Sequence, residues 1–392
     1  MREEIRTYLN QFDFDVRKSN DARFVDHKCT PDIVSFIADC VLNMIATKPV
    51  FVITDIWETE YFIHNSRVIF NKPWANDERA YNEYNKVLSQ PLKLLAYAHV
   101  LNVEKIKGRL TFSVINEDLL DYISRKDRNA YYFLYCYFIK VLEDSGFMRF
   151  MIEYKEKYHN NLAKERMILY DKYHRFISGN TPTKTRIDTR RMFHKVLNVY
   201  AVENNIPGSS GKFAMTYSDL MYNRRNWRDL EKDKSITRQE SSDSEIYEKQ
   251  EIINTYYIQK AINLIKKIHK ESEVHDQWNM GEATQVHHIF QKSLFPEIAH
   301  YAENLIKLTA TQHYTKAHPN NRTQEIDKDY QLTCLLAKAD TIEKSIQLVG
   351  EKYYRKESFI YVCNIGLSVN IEINLSFTEL TSRLIQIYNG VA

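Results

Sequence analysis

The chain has 392 residues, of which 44% are hydrophobic and 27% charged, with 54 Lys and Arg against 51 Asp and Glu. That is ordinary globular composition at a length of two or three domains, and it excludes disorder as the main state. Only nine residues are glycine, and no G-x-G-x-x-G or G-x-x-x-x-G-K-[ST] string occurs, which argues against dinucleotide and nucleoside-triphosphate sites.

The formal net charge of +3 does not announce nucleic acid, so the distribution of charge matters more than its sum. Cys29, Cys40, Cys136, Cys334 and Cys363 are scattered without a C-x-x-C, which speaks against a disulfide framework and a Cys-built zinc site. The N-terminus lacks an apolar leader, and no apolar run reaches ~18 residues. A soluble protein of a reducing cytoplasm, with no membrane partner, is expected.

In chain order, Thr30-Pro31 predicts a helix start, with Thr30 as cap and Pro31 in the first turn. Val34, Ile37, Val41 and Met44 then recur at helical spacing. Val50 to Ile53 reads as a strand. Thr54 is expected to cap a second helix, from Asp55 to about Phe70, and Ser89 before Pro91 to open a third. Val103–Lys107, Gly108 and Leu110–Val114 read as a hairpin. Helix, helix, helix, hairpin is the order of a winged helix, a helix-turn-helix variant whose third helix can enter a DNA groove. Gln90, Lys93 and Tyr97 would then face bases, with Lys105 and Lys107 on the backbone.

Residues 126 to about 178 read as an aromatic helical connector, and Ser178–Lys184 as a boundary. A basic region follows. Arg190 and Arg191 suit phosphates, which give affinity without sequence information. Asn223, Arg224, Arg225 and Arg228 carry side chains that pair bidentately with adenine and guanine edges. The sequence leaves open which of these modules reads bases. Glu231 to about Glu248 reads as an exposed linker, and Ile252 to Ile268 as a helix.

Five of the thirteen histidines lie between positions 287 and 318. The text is Gln285-Val286-His287-His288-Ile289-Phe290, then Asn304-Leu305-Ile306-Lys307-Leu308, then His313 nine positions after that Asn. This resembles the HNH, or ββα-metal, nuclease motif. Neighbours on a strand point to opposite faces, so an adjacent His pair can serve two roles, and an imidazole near pKa 6.5 suits proton abstraction at neutral pH.

The resemblance implies His288 as general base, His287 and His313 as metal ligands, and Asn304 as the amide that bridges the loop and holds the base. It implies Mg2+, with Mn2+ or Ni2+ able to substitute, although imidazole alone suits later transition metals better. Two departures stand out. Thr309 and Gln312 occupy places where many relatives carry zinc-knuckle cysteines, so packing must brace the fold. Relatives of the colicin type place a ligand four residues after the helical His. Here that is Ala317, and His318 is one further, about 140° round an α-helix from His313, which leaves it a ligand only if the helix end distorts. His300 reads as a solvated loop residue.

The passage from Arg190 to Arg238 also resembles what precedes the HNH core in some type II restriction endonucleases. The expected fold is α+β and mainly helical. Residues 1–125 form a winged-helix-like DNA-binding domain, 126–180 a helical connector, 181–350 the basic DNA-contact region and HNH core, and 351–392 a strand and helix segment packing on that core. The expected activity is site-specific hydrolysis of double-stranded DNA, with a companion DNA methyltransferase and a homodimer on DNA. The rivals are a modification-dependent or homing HNH nuclease, and a winged-helix regulator with an inactive ββα fold.

Overall fold

The computed structural model describes residues 2–70, 75, 80–222, 243–317 and 327–390. Asn223, Arg224, Arg225, Arg228 and His318 lie outside the described residues. The chain is mainly helical, with two small sheets. It divides into two compact units, residues 2–236 and 237–392. No described helix is long and apolar enough to cross a membrane. All five cysteines are buried thiols.

The first unit runs α1 (Arg2–Leu9), α2 (Val16–Ser19), α3 (Pro31–Ile45), β1 (Val50–Val52), α4 (Ile53–Trp57), α5 (Glu60–Phe70), α6 (Tyr81–Tyr97), β2 (Leu101–Ile106) and β3 (Arg109–Val114). It continues through α7 (Glu117–Arg125), α8 (Asp127–Asp144), α9 (Met148–Lys157), α10 (Leu162–Asn180) and α11 (Arg186–Asn204). The strands form one antiparallel sheet in the order β1-β3-β2. The hairpin closes on Lys107 and Gly108, both at positive φ (50° and 82°), which is the two-residue turn that matches strand twist and needs glycine at its second position.

Several element starts differ from expectation. Thr30 takes the extended cap conformation, but its hydroxyl donates to Asp32 Oδ1 at 2.6 Å and leaves the helix uncapped by a side chain. The second helix begins one residue before Thr54, and Asp55 Oδ2 accepts from Val52 N at 2.8 Å in its first turn. It breaks at Glu58-Thr59 into α4 and α5. Pro91 does not open α6. It sits inside it, because Tyr84, Val87, Leu88, Leu92 and Leu95 continue one buried face across it, and that burial outweighs the missing N–H.

The boundaries expected after residues 125 and 180 fall inside this unit. Helix α3 packs on α6, α7 and α8, and α8 packs in turn on α1 and α11, so the connector shares one core with the N-terminal segment. Helix α6 exposes Tyr81, Asn82 and Lys86, but its later turns are engaged within the unit. Gln90 Oε1 accepts from Lys28 N at 2.7 Å, and the Tyr97 and Ser19 hydroxyls lie 2.6 Å apart. Two of the three residues expected to face bases are thus engaged within the unit, and Lys93 is half-buried.

The second unit comprises α12 (Asp243–Ile268), β4 (Gln285–His288), β5 (Leu305–Leu308), α13 (Ala310–Gln312), α14 (Lys328–Val349), α15 (Lys356–Leu367) and α16 (Phe377–Tyr388). Helix α12 thus starts at Asp243, within the stretch read as linker. Residues 351–392 carry two helices and, among the described residues, no strand. A two-stranded ladder of four residues each cannot stand alone in water. Here Ile289, Phe290, Leu305, Ile306 and Leu308 share one buried cluster with Ile265 of α12, Leu335 and Ile342 of α14, Phe359 and Cys363 of α15, and Leu380 and Leu384 of α16.

Candidate active site

Strand β4 pairs antiparallel with β5, setting His287 opposite Ile306 and His288 opposite Leu305. Helix α13 follows at once. Thr309 caps it, accepting from Gln312 N at 3.2 Å while Gln312 Oε1 accepts from Thr309 N at 3.0 Å, a reciprocal capping box. The helix widens into a π-turn over His313–Ala317. Such turns are frequent at functional sites. They also break the α-helical spacing on which the angle between His313 and position 318 was reckoned.

Alternation along β4 separates the two adjacent imidazoles. His287 is buried and meets His313, with ring centres 5.3 Å apart and planes at 77°. Two imidazoles bound through nitrogen to one ion at about 2.0–2.1 Å place their ring centres roughly 5 Å apart. The pair therefore fits a cation held by two nitrogens, with its other positions left to oxygen ligands. No group of three or more His, Cys, Asp or Glu placed to hold a metal occurs among the described residues.

His288 turns to the loop between the strands. Its Nε2 lies 3.1 Å from the Ala299 carbonyl. A carbonyl only accepts, so Nε2 carries the proton and Nδ1 keeps the lone pair. Burial pushes the imidazole pKa down, the Ala299 carbonyl opposes this, and Lys292 adds to it. With Nε2–H given to the Ala299 carbonyl, Nδ1 is the nitrogen that can accept a proton.

Asn304 is fully buried and spans the same loop. Its Oδ1 accepts from Phe290 N at 2.8 Å, and its Nδ2 donates to Phe290 O and Ile298 O at 3.1 and 3.2 Å. One amide thus joins the loop's start to the residue before Ala299, the carbonyl that orients His288. His300, read as solvated, is half-buried and lies tilted against Tyr301, ring centres 4.8 Å apart and planes at 44°.

Where cysteines were absent, a hydrogen-bond hub stands. Gln312 has no exposure. Its Oε1 also accepts from Ser272 Oγ at 2.6 Å, and its Nε2 donates to Val274 O and Asp276 Oδ1 at 2.8 and 2.9 Å. The free edge of β5 is closed by Glu273, which exchanges bonds with Lys307 (Glu273 N to Lys307 O, 2.9 Å; Lys307 N to Glu273 Oε1, 2.8 Å). Glu273 Oε2 meets the buried Lys338 Nζ at 2.9 Å, and Lys338 donates to Tyr354 Oη at 3.0 Å. Gln331 of α14 donates to Ile289 O at 2.7 Å and accepts from Tyr388 Oη of α16 at 2.8 Å, fixing the residue after His288. Sequence reading missed this shell. Apart from Lys338 and Tyr354, 16 positions apart, its partners lie 34 to 65 positions apart, and no local pattern marks them.

Arg190 and Arg191 are both exposed on α11 in the first unit. Arg190 lies over the Tyr170 ring at 5.1 Å, and Arg191 is 3.7 Å from Asp188. Comparison of the chain with family models, with curated proteins and with solved structures finds no match.

Proposed function

We propose that the protein is a metal-dependent endonuclease of the HNH type acting on double-stranded DNA, and that it serves as a type II restriction enzyme. One observation carries the reading. On a strand–strand–helix frame, His287 faces His313, while His288 is oriented by a carbonyl of the loop that Asn304 ties down. A structural imidazole pair explains neither the separately oriented third His nor the amide lock.

In this reading His288 Nδ1 takes the proton of an attacking water, and the Ala299 carbonyl holds the resulting imidazolium through Nε2–H. His287 and His313 hold a divalent cation, Mg2+ with Mn2+ or Ni2+ as substitutes. When bound, the cation supplies positive charge to the scissile phosphate and the leaving oxygen. Attack with departure of the 3′ oxygen leaves 5′-phosphate and 3′-hydroxyl ends. One such site cuts one strand, so a homodimer on DNA cuts both. The helix, strand, helix and hairpin order of the N-terminal residues, with β1 on the far edge of the hairpin, supports a winged-helix role in holding DNA. The activity implies a companion methyltransferase and a cytoplasmic site of action.

The test is digestion of a plasmid library with Mg2+ and sequencing of the ends. Recurrent ends at one short sequence are expected, and His288→Ala is expected to lose cutting with DNA binding retained. Uncut DNA that is nonetheless bound by the wild-type chain would favour the winged-helix regulator.

A further inference from the structure

In the first unit some cations of α9 to α11 are matched. Lys157 and Lys172 share Glu153, and Arg186 meets Asp171 at 3.0 Å. Among the described residues Arg166, Arg190 and Lys212, like Arg149, Lys164 and Arg175, have no ion pair. Arg166 and Arg190 converge with Lys195 on His194, whose imidazole is held below its usual range by desolvation and then by these three cations.

Arg166 also ties this cluster to a loop. Its guanidinium donates to Gly211 O at 2.9 Å. Tyr154 Oη donates to Pro207 O at 2.8 Å, Ser209 N donates to Asn198 Oδ1 at 2.8 Å, and Met215 N donates to Ile206 O at 3.0 Å. Gly208 lies so close that a Cβ would come 2.3 Å from Met215 Sδ and 2.7 Å from Asn198 Oδ1. The loop from Pro207 to Met215 is thus pinned at both ends and near its middle. At its outer side Phe213 stands 88% exposed, next to the exposed Lys212, and no acidic residue occurs from position 205 to 218.

A pinned loop that keeps a whole aromatic ring in water, beside unmatched cations, fits a partner that is a polyanion and also offers flat apolar faces. Nucleic acid has both properties. We propose that Phe213 is a stacking wedge for duplex DNA, inserted at a base step while Lys212, Arg166 and Arg190 follow the phosphates. Apolar side chains used in this way unstack a step and bend the duplex. The proposal rests on DNA being the substrate, and it adds a contact surface in the first unit to the site in the second.

The full chain is titrated without Mg2+ into random-sequence duplex DNA carrying 2-aminopurine, reading anisotropy and 2-aminopurine emission. For F213A we expect about ten-fold weaker binding and loss of the emission rise, with F213W retaining both and thermal unfolding unchanged. K212A and R190A should each lower the salt slope by roughly one. If the wild-type chain binds and cuts while F213A matches it in affinity and emission, the wedge is wrong and the nuclease reading survives. A wild-type chain that binds no duplex overturns both.

Discussion

Gln312→Ala tests whether hydrogen bonds replace the missing zinc knuckle. The side chain is fully buried and makes four bonds under 3.1 Å, to Ser272 Oγ, Thr309 N, Val274 O and Asp276 Oδ1. Ser272 Oγ can turn instead to Val274 O or Lys307 O, at 3.1 and 3.3 Å, so its loss costs little. Thr309 N has no such alternative, at about 1–3 kcal/mol for a buried group left unmade, whereas Val274 O keeps Ser272 Oγ. Asp276 keeps Trp278 N and Tyr330 Oη, so its loss is smaller. With the smaller losses added the sum is about 2–4 kcal/mol, a large part of the ~5–15 kcal/mol that a domain has. Two units preclude a single unfolding free energy, so the assay is hydrogen exchange by mass spectrometry over peptides from 270 to 315. Protection there should fall by about 30- to 1,000-fold, with peptides of α8 unchanged. Gln312→Glu should be worse at neutral pH, since a carboxylate cannot donate to Val274 O and repels Asp276. Exchange in Gln312→Ala within ten-fold of wild type would refute the hub.

His287→Ala and His313→Ala should each raise the Mn2+ concentration needed for cleavage, or remove activity, and calorimetric titration of Mn2+ into each variant with DNA present checks this; unchanged affinity in both removes the pair from the site. Gly366→Ala places a Cβ 2.4–2.5 Å from three atoms of the buried Phe290 ring, whose backbone Asn304 holds, so it should cost about 1–3 kcal/mol and slow cleavage; normal melting and activity would show that the ring moves aside without consequence. The His27 imidazole is lowered to about 4 by desolvation and then by Lys195, Lys28 and Arg191. A depressed folded pKa means that stability present above the unfolded value near 6.5 is lost as pH falls toward 4, because the unfolded chain binds the proton first, but the residue is exposed and solvent screens these cations, so the loss is small. NMR titration should place His27 well below 6.5, and Lys195→Met should raise it; a titration near 6.5 in wild type contradicts the crowding of cations.

How much was legible depended on range. The α3 stripe, the hairpin with its Lys107-Gly108 turn and the ββα order were carried by residues within a few positions of one another, where periodicity and turn chemistry act. Pro91 misled because a local rule for helix starts met a buried face that runs from Tyr84 to Leu95. Asn304 was legible through a family likeness, and its three bonds to Phe290 and Ile298 have no local signature. Phe213 was not singled out, because a lone Phe after Lys carries no pattern; only the anchored loop makes its exposure notable.

The shell around β4 and β5 explains why so small a motif needs a unit of this size. Catalytic geometry must be held within about 0.5 Å, and loops hold it less well than elements do. Here His288 depends on the Ala299 carbonyl, Ala299 on the Asn304 lock, and the strand exit at Ile289 on Gln331 and Tyr388. The lock works only if Phe290 stays seated, and Phe290 rests against Gly366 of α15. The exit at Ile289 and the seat of Phe290 are thus held by helices C-terminal to the motif. A fragment ending at Ala317 would therefore keep His287, His288, Asn304 and His313 and lose the groups that aim them, which places the cost of precision in α14 to α16 rather than in the motif itself.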